Sequence, residues 1–418
     1  MAQTIAEKIL AAKSKKDVVE PGEIVEAEID YVMANDVTAL PAIEVFEGFG
    51  VLPIKEKVVL IPDHYIPNKD VPSAEQAKAM RDFVRKYSLP NYFEVGENGV
   101  CHQLMIEKGF VAPGRLIIGA DSHTCSYGAL GAFATGMGST EAASAMALGT
   151  MWFRVPETQK FIVEGELGRH VMGKDVILHI IGDIGVDGAL YRSMEFYGSA
   201  IESMGLSDRI TIANMAIEAG GKAGIIPPDE TVFDYLKGRV RGEYEPVYAD
   251  EGADYLETFT YDAADIPPTV AKPSLPENTS PASELGDITI DQAYLGSCTN
   301  GRIEDLRAAA SIIKGKKVHK GVRMIVVPAT KEVFEQAIDE GLVKIFLDAN
   351  AFVSGPTCGA CLGGYMGVLA KGERCISSTN RNFVGRMGHK DSEVYLANPA
   401  VVAASAVTGR ITDPREIE

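Results

Sequence analysis

Six cysteines and seven histidines carry much of this chain's capacity for chemistry, and several sit where packing alone would not put them. Cys358 and Cys361 lie in "GPTCGACLGG", and Cys298 lies in "YLGSCTNGR" after an apolar run. A cysteine ordinarily behaves as a small buried hydrophobe, and Cys375 in "ERCISS" fits that description inside a strand-like pattern. The other three occupy polar, Gly-rich turns where a packing cysteine gains little. Glycine permits positive φ and close backbone approach, so such loops can wrap around something. A C-x-x-C pair alone reads as metal ligand, redox dithiol or accident. Structural zinc takes four closed ligands, usually as two pairs. One pair and one distant thiol make three, which suits an iron–sulfur cube with one iron lacking a protein ligand. Backbone N–H groups in glycine turns can bond its sulfides, and an open iron can act as a Lewis acid.

Acid–base groups gather elsewhere. His64 in "IPDHYIP", His102 in "GVCHQL" and His123 in "GADSHT" all lie beside strand-like runs. Asp63 and Asp121 are their sequence neighbours. A carboxylate beside an imidazole favours its charged form and orients the ring, as a general acid requires. His170, His179, His319 and His389 have no such setting and read as structural. Arg381 and Arg386 stand in the polar loop "NRNFVGR". Surface exposure is the common fate of such residues, but a guanidinium fork binds carboxylate bidentately. Two forks near a metal would suit a di- or tricarboxylate. The run "GALGAFATGMGSTEAASAMALG" contains neither nucleotide-binding glycine pattern, so close helix packing is the expectation there.

The elements that must position these groups alternate. "EKVVLIPDH", "GRLIIGADSH" and "RMIVVPA" read as strands running into polar loops. "SAEQAKAMRDFVRKYS" reads as a helix with Ser73 as N-cap, and "KEVFEQAIDEGL" as another. The rhythm predicts α/β layers with partly parallel sheets, whose sites lie just past strand C-termini. At 418 residues, two or three domains are expected. The stretch "DAADIPPTVAKPSLPENTSPASELGD" reads as a linker. The expected division is a first α/β domain over 1–158, a second over 159–261, the linker over 262–287 and a third over 288–418 carrying the cysteines. A net charge of −18 argues against a nucleic-acid partner. No apolar run reaches the roughly 20 residues of a membrane span. The N-terminus predicts an amphipathic helix with Ile5, Ile9 and Leu10 on one face rather than a signal peptide. Reduced thiols in the cytoplasm are the expectation.

The motifs "DSHT", "GSCTNGR", "GPTCGACLGG" and "NRNFVGR", in this order, resemble the aconitase superfamily, and most closely its isopropylmalate dehydratase and homoaconitase large subunits. The resemblance runs from "ANDVTA" to "NPAVVAASAVTGRITDP". It implies an aconitase-like α/β fold, three α/β/α layered domains around a cluster site. It implies a 4Fe-4S cluster with one free iron on Cys298, Cys358 and Cys361. The imidazole–carboxylate pairs it implies are Asp63 with His64, Asp121 with His102, and Glu218 with His123. Ser122 is the middle residue of "DSH", and Asn214 lies one helical turn before Glu218. Arg381 and Arg386 resemble substrate-carboxylate arginines. Asn35 stands where aconitase itself carries glutamine, which argues against aconitase proper. Full-length aconitases continue into a swivelling domain that carries the catalytic base. This chain stops at Glu418, so a separate small subunit is expected to complete the site as a heterodimer or heterotetramer. The implied activity is a hydro-lyase acting on isopropylmalate. Homoaconitase, another malate-type dehydratase and a non-catalytic iron-sensing protein are the alternatives.

Overall fold

The computed structural model describes residues 2–417. The chain forms two compact units, one of residues 1–163 with 189–261 and one of 164–188 with 262–418. This differs from the expected division. Both expected N-terminal domains contribute to the first unit, and the excursion 164–188 joins the second.

In the first unit, β1 (Ile24–Glu28) pairs antiparallel with β7 (Thr150–Arg154). The central sheet contains β2 (Tyr31–Asn35), β3 (Val58–Ile61), β4 (Asn91–Tyr92), β5 (Leu116–Gly119) and β6 (Phe133–Gly136), all parallel, in the order β4-β3-β2-β5-β6. Its strands are almost continuously apolar because both faces are covered. Val32, Val58, Leu60 and Ile118 join the core on one face. Met33, Val59, Ile61 and Ile117 join the core on the other. A smaller sheet runs β10-β9-β8-β11, from β8 (Thr158–Glu164), β9 (Ser193–Tyr197), β10 (Ala223–Ile225) and β11 (Glu257–Asp262). The N-terminal helix forms over Ile5–Lys13 and buries Ile5, Ile9 and Leu10, capped by Thr4 and Glu7. The helix Val71–Tyr87 is capped by Asp70 rather than Ser73. Ser73 sits at the third helical position and completes the capping box, with its N–H donating to Asp70 Oδ1 at 2.9 Å. Pro72 in the first turn favours this earlier start.

The second unit holds one seven-stranded sheet, in the order β13-β12-β18-β17-β14-β15-β16. Its strands are β12 (Thr269–Ala271), β13 (Thr279–Pro281), β14 (Gln292–Leu295), β15 (Arg323–Val326), β16 (Phe352–Val353), β17 (Arg374–Ser377) and β18 (Glu393–Leu396). The five from β14 to β18 are parallel. β12 and β13 extend that sheet antiparallel, so the stretch read as a linker is part of it. Proline lacks an N–H and is tolerated at an edge. That explains how a Pro-rich segment, with Pro281 on the outermost strand, escapes recognition as β-structure.

Candidate active site and cluster site

Both parallel sheets reverse their winding once, and both groups of chemical residues lie there. In the first unit the chain runs outward from β2 through β3 to β4, then returns to place β5 on the other side of β2. Ligands of such sheets bind beyond strand C-termini at this switch point. Asn35 ends β2 and Asp121 follows β5, and the Asn35 amide donates to Asp121 Oδ2 at 3.2 Å. Asp121 Oδ1 meets His102 Nε2 at 2.9 Å and accepts the His123 N–H at 3.0 Å. His123 Nε2 meets Glu218 Oε1 at 2.9 Å. An alternating chain of imidazoles and carboxylates therefore crosses the switch point. Burial works to raise the Asp121 carboxyl, but His102 and His123 outweigh it and hold the group well below the usual carboxylate range.

The third pair lies beyond β3. His64 Nδ1 is 2.5 Å from Asp63 Oδ1, and Asp63 Oδ2 accepts the Cys101 N–H at 2.7 Å. Burial opposes protonation of His64; the charge and hydrogen bond of Asp63, then Asp36 and Asp121, overcome it and push the imidazole up to about 10. Asp36, which the sequence reading passed over, accepts backbone N–H bonds from Asp63, His64 and Tyr65 at 3.0, 2.9 and 2.8 Å. Burial, then the charge of Asp63, pushes the Asp36 carboxyl up. Its signal was position: an acid directly after Asn35 at the end of a central strand.

Ser122 opens the 3-10 turn Ser122–Leu130, and with Asp121 it lines a cavity of about 560 Å³ that also takes in Met137, Trp152, Leu190 and Lys222. Gly136 closes against this turn: a Cβ there would lie 2.7 Å from Ser122 Cα. Asn214 lies near the end of the helix Leu206–Met215, and Glu218 sits in the following 3-10 turn, so the two are not on one continuous helix face. The Asn214 amide instead donates to Ser126 Oγ at 2.8 Å, and that hydroxyl donates to the His123 carbonyl at 2.6 Å.

In the second unit the switch point lies between β14 and β17. Cys298 follows β14, on a short helix whose first residue, Ser297, takes φ 78°. Asn380 follows β17. Its amide donates to Cys298 Sγ at 3.3 Å and to Thr299 Oγ1 at 2.9 Å, and its oxygen accepts from the Cys361 thiol at 3.8 Å. Tyr294, on β14, donates its hydroxyl to the Cys358 carbonyl at 3.1 Å. Gly359 makes this possible: its φ is 62°, and a Cβ would lie 2.2 Å from the Tyr294 oxygen. One amide thus touches the buried Cys298 and Cys361 sulfurs, and one phenol holds the backbone at buried Cys358. Arg386 Nη2 lies 3.8 Å from Cys361 Sγ; Arg381 shares the loop and is half-buried. Cys375 instead stays on β17, fully buried in the sheet, where burial pushes its thiol up to about 12. A soft, three-thiol set with N–H donors suits an iron–sulfur cluster.

The Aconitase family (aconitate hydratase) matches residues 7–287 and 277–409. This chain belongs to the aconitase family. Curated relatives named "3-isopropylmalate dehydratase large subunit" include those of Halothermothrix orenii and Thermodesulfovibrio yellowstonii, each 58% identical over 100% of both chains. The one from Acetivibrio thermocellus is 55% identical, again over 100% of both. Among solved structures, the aconitase X of Thermococcus kodakaraensis in its holo-form aligns with a TM-score of 0.52 at 14% identity, over 91% of this chain and 94% of that one. That likeness establishes the aconitase fold. Family membership also implies a 4Fe-4S cluster, which the cysteine set of the second unit fits. No helix among the described residues is long and apolar enough to cross a membrane.

Proposed function

We propose that this chain is the large subunit of a 3-isopropylmalate dehydratase, a hydro-lyase of leucine biosynthesis that interconverts 2- and 3-isopropylmalate by removing and re-adding water. Full-length identity of 55–58% to curated large subunits of that name carries the reading. The cluster ligands are Cys298, Cys358 and Cys361. When bound, the cluster supplies Lewis acidity at an iron without a protein ligand. The chain's own residues do the rest. His64 holds its proton at neutral pH and can deliver it to a departing hydroxide. Asp121 stays ionised and fixes the His102 and His123 rings, while Glu218 orients His123 from its far side. Arg381 and Arg386 bind a substrate carboxylate through their forks. Asn35 and Asn214 act through Asp121 and Ser126, and Ser122 faces the cavity.

A base for the carbon-bound proton comes from a small subunit, a reading supported by the "large subunit" in the relatives' names. A cytoplasmic location goes with this, supported by six cysteines that are all free thiols. The test is a steady-state assay of the anaerobically reconstituted chain on isopropylmalate, homocitrate and citrate, with and without a small subunit of roughly 160–170 residues, the size of one domain. Turnover of isopropylmalate should need both chains. Substantial turnover by this chain alone, or preference for homocitrate, would sink the assignment.

A further inference from the structure

The chain leaves the first unit at Glu164 and re-enters it at Ala189, and the excursion between them belongs to the second unit. Its helix, Gly173–Ile184, carries a lysine in the first turn. Lys174 is 0% exposed. Its ammonium donates to the Ser378 carbonyl at 3.1 Å and to the Thr379 carbonyl. These two residues join the end of β17 to Asn380, the side chain that touches both Cys298 and Cys361. Asp175 locks the start of the helix: its carboxylate accepts the N–H groups of Met172 and Thr269 and the Asn398 amide, each at 2.7 Å.

A buried ammonium is an expensive way to satisfy two carbonyls. Taking it out of water is strongly unfavourable, and a methionine of similar length would fill the space without that penalty. Burial does pull Lys174 down, to about 7, while Asp305, Cys361, Asp175 and Cys298 favour its charged form. Two of those four are proposed cluster ligands. We infer that Lys174 is a positioning residue for the cluster: its ammonium fixes the turn that aims Asn380 and sets a buried positive charge against the thiolates of Cys298 and Cys361. The inference rests on the cluster reading above. It also gives the excursion 164–188 a purpose, since that segment delivers the charge.

A positive charge at this position favours the more reduced cluster, so its removal makes reduction harder. The experiment uses the full chain, Lys174→Met, Lys174→Gln and Lys174→Arg, each reconstituted anaerobically, with iron and sulfide content, EPR-monitored potential and iron loss in air as readouts. Lys174→Met should show a potential lower by about 59 mV, a tenfold shift in a one-electron equilibrium, and several-fold faster iron loss. Lys174→Arg, which keeps the charge, should stay near the parent potential. If Lys174→Met does not fold, Lys174→Gln decides, because it keeps a donor to the carbonyls and loses only the charge; it too should fall. A parent-like potential in the folded neutral variants would overturn the inference and leave Lys174 a packing residue. A parent chain that takes up no iron would overturn the cluster reading and this inference together, and its own iron content tells that failure from the other.

Discussion

Each unit has its own parallel sheet, wound in the same order, and the two differ in what they place on it. Strands β2 to β6 and β14 to β18 each run parallel with the first strand central, the next two on one side and the last two on the other. Each therefore has one switch point, and each carries its chemistry there. In the first unit that chemistry is balanced within the fold, every imidazole meeting a carboxylate. In the second, the Cys298 and Cys361 thiols flank the neutral Asn380 amide, with cations from Arg386 and Lys174 nearby. Under the proposed function, one frame serves proton handling when its loops end in Asp and His, and cluster binding when they end in Cys and Gly. Fold alone does not decide between them.

The largest effect should come from breaking the second site. Cys298→Ser or Cys358→Ser should abolish cluster assembly, because three thiolates are the minimum that hold the cube, whereas Cys375→Ser should leave iron content unchanged. Iron and sulfide analysis after anaerobic reconstitution checks both. Full iron content in Cys358→Ser would mean the second unit has another ligand and the comparison is drawn wrongly.

The first site should fail differently. Glu218→Gln removes the charge that orients His123 but keeps its shape, so the cluster should load normally while kcat falls by about 10²–10⁴, the usual contribution of a positioned acid or base. Iron loss in this variant would show that the two sites are not chemically separate.

Much of this division could be read from the sequence, for a physical reason. Motif residues just past a strand are fixed by local chain geometry, so Asp63 with His64 and the cysteine loops could be named from their spacing. Glu218 was reachable only through family resemblance, since it meets His123 from 95 positions away. Other features escaped because their evidence is tertiary. Lys174 opens an ordinary amphipathic helix, and only its burial makes it notable. Asn380 looks like a loop residue until it is seen between two sulfurs. The strands β12 and β13 are three residues each and lie among Pro267, Pro268, Pro273, Pro276 and Pro281, which hides them as strands. Ser73 was a plausible cap, outcompeted by an aspartate three residues earlier.

A smaller effect tests whether Arg386 serves substrate or cluster. Arg386→Lys keeps the charge beside Cys361 but loses the bidentate fork. If its role is to bind carboxylate, the KM for isopropylmalate should rise, by roughly ten- to a hundredfold for a loss of about 1.5–3 kcal/mol, with iron content unchanged. Unchanged kinetics would remove Arg386 from substrate binding and leave its charge beside Cys361 as its contribution.

The smallest effect concerns the charge balance of the first unit. His64 is pushed up to about 10 in the folded chain, from an ordinary 6.5. A raised value means that the folded state holds the proton more tightly. The resulting stability is fully present below about 6.5 and is lost as pH rises through about 10. Lys174, pulled down to about 7, titrates over part of the same range with the opposite sign, so the informative quantity is a variant measured against the parent. Asp63→Asn removes the main partner of His64. On cluster-free protein it should be less stable than the parent by about 1–3 kcal/mol near pH 6, and the gap should narrow steadily towards pH 10 as the parent loses its proton. Urea denaturation of both chains at intervals across that range measures the gap. A difference that stays constant with pH would mean that Asp63 supports the backbone at Cys101 rather than a proton on His64, and the first site would then be less balanced in charge than its geometry indicates.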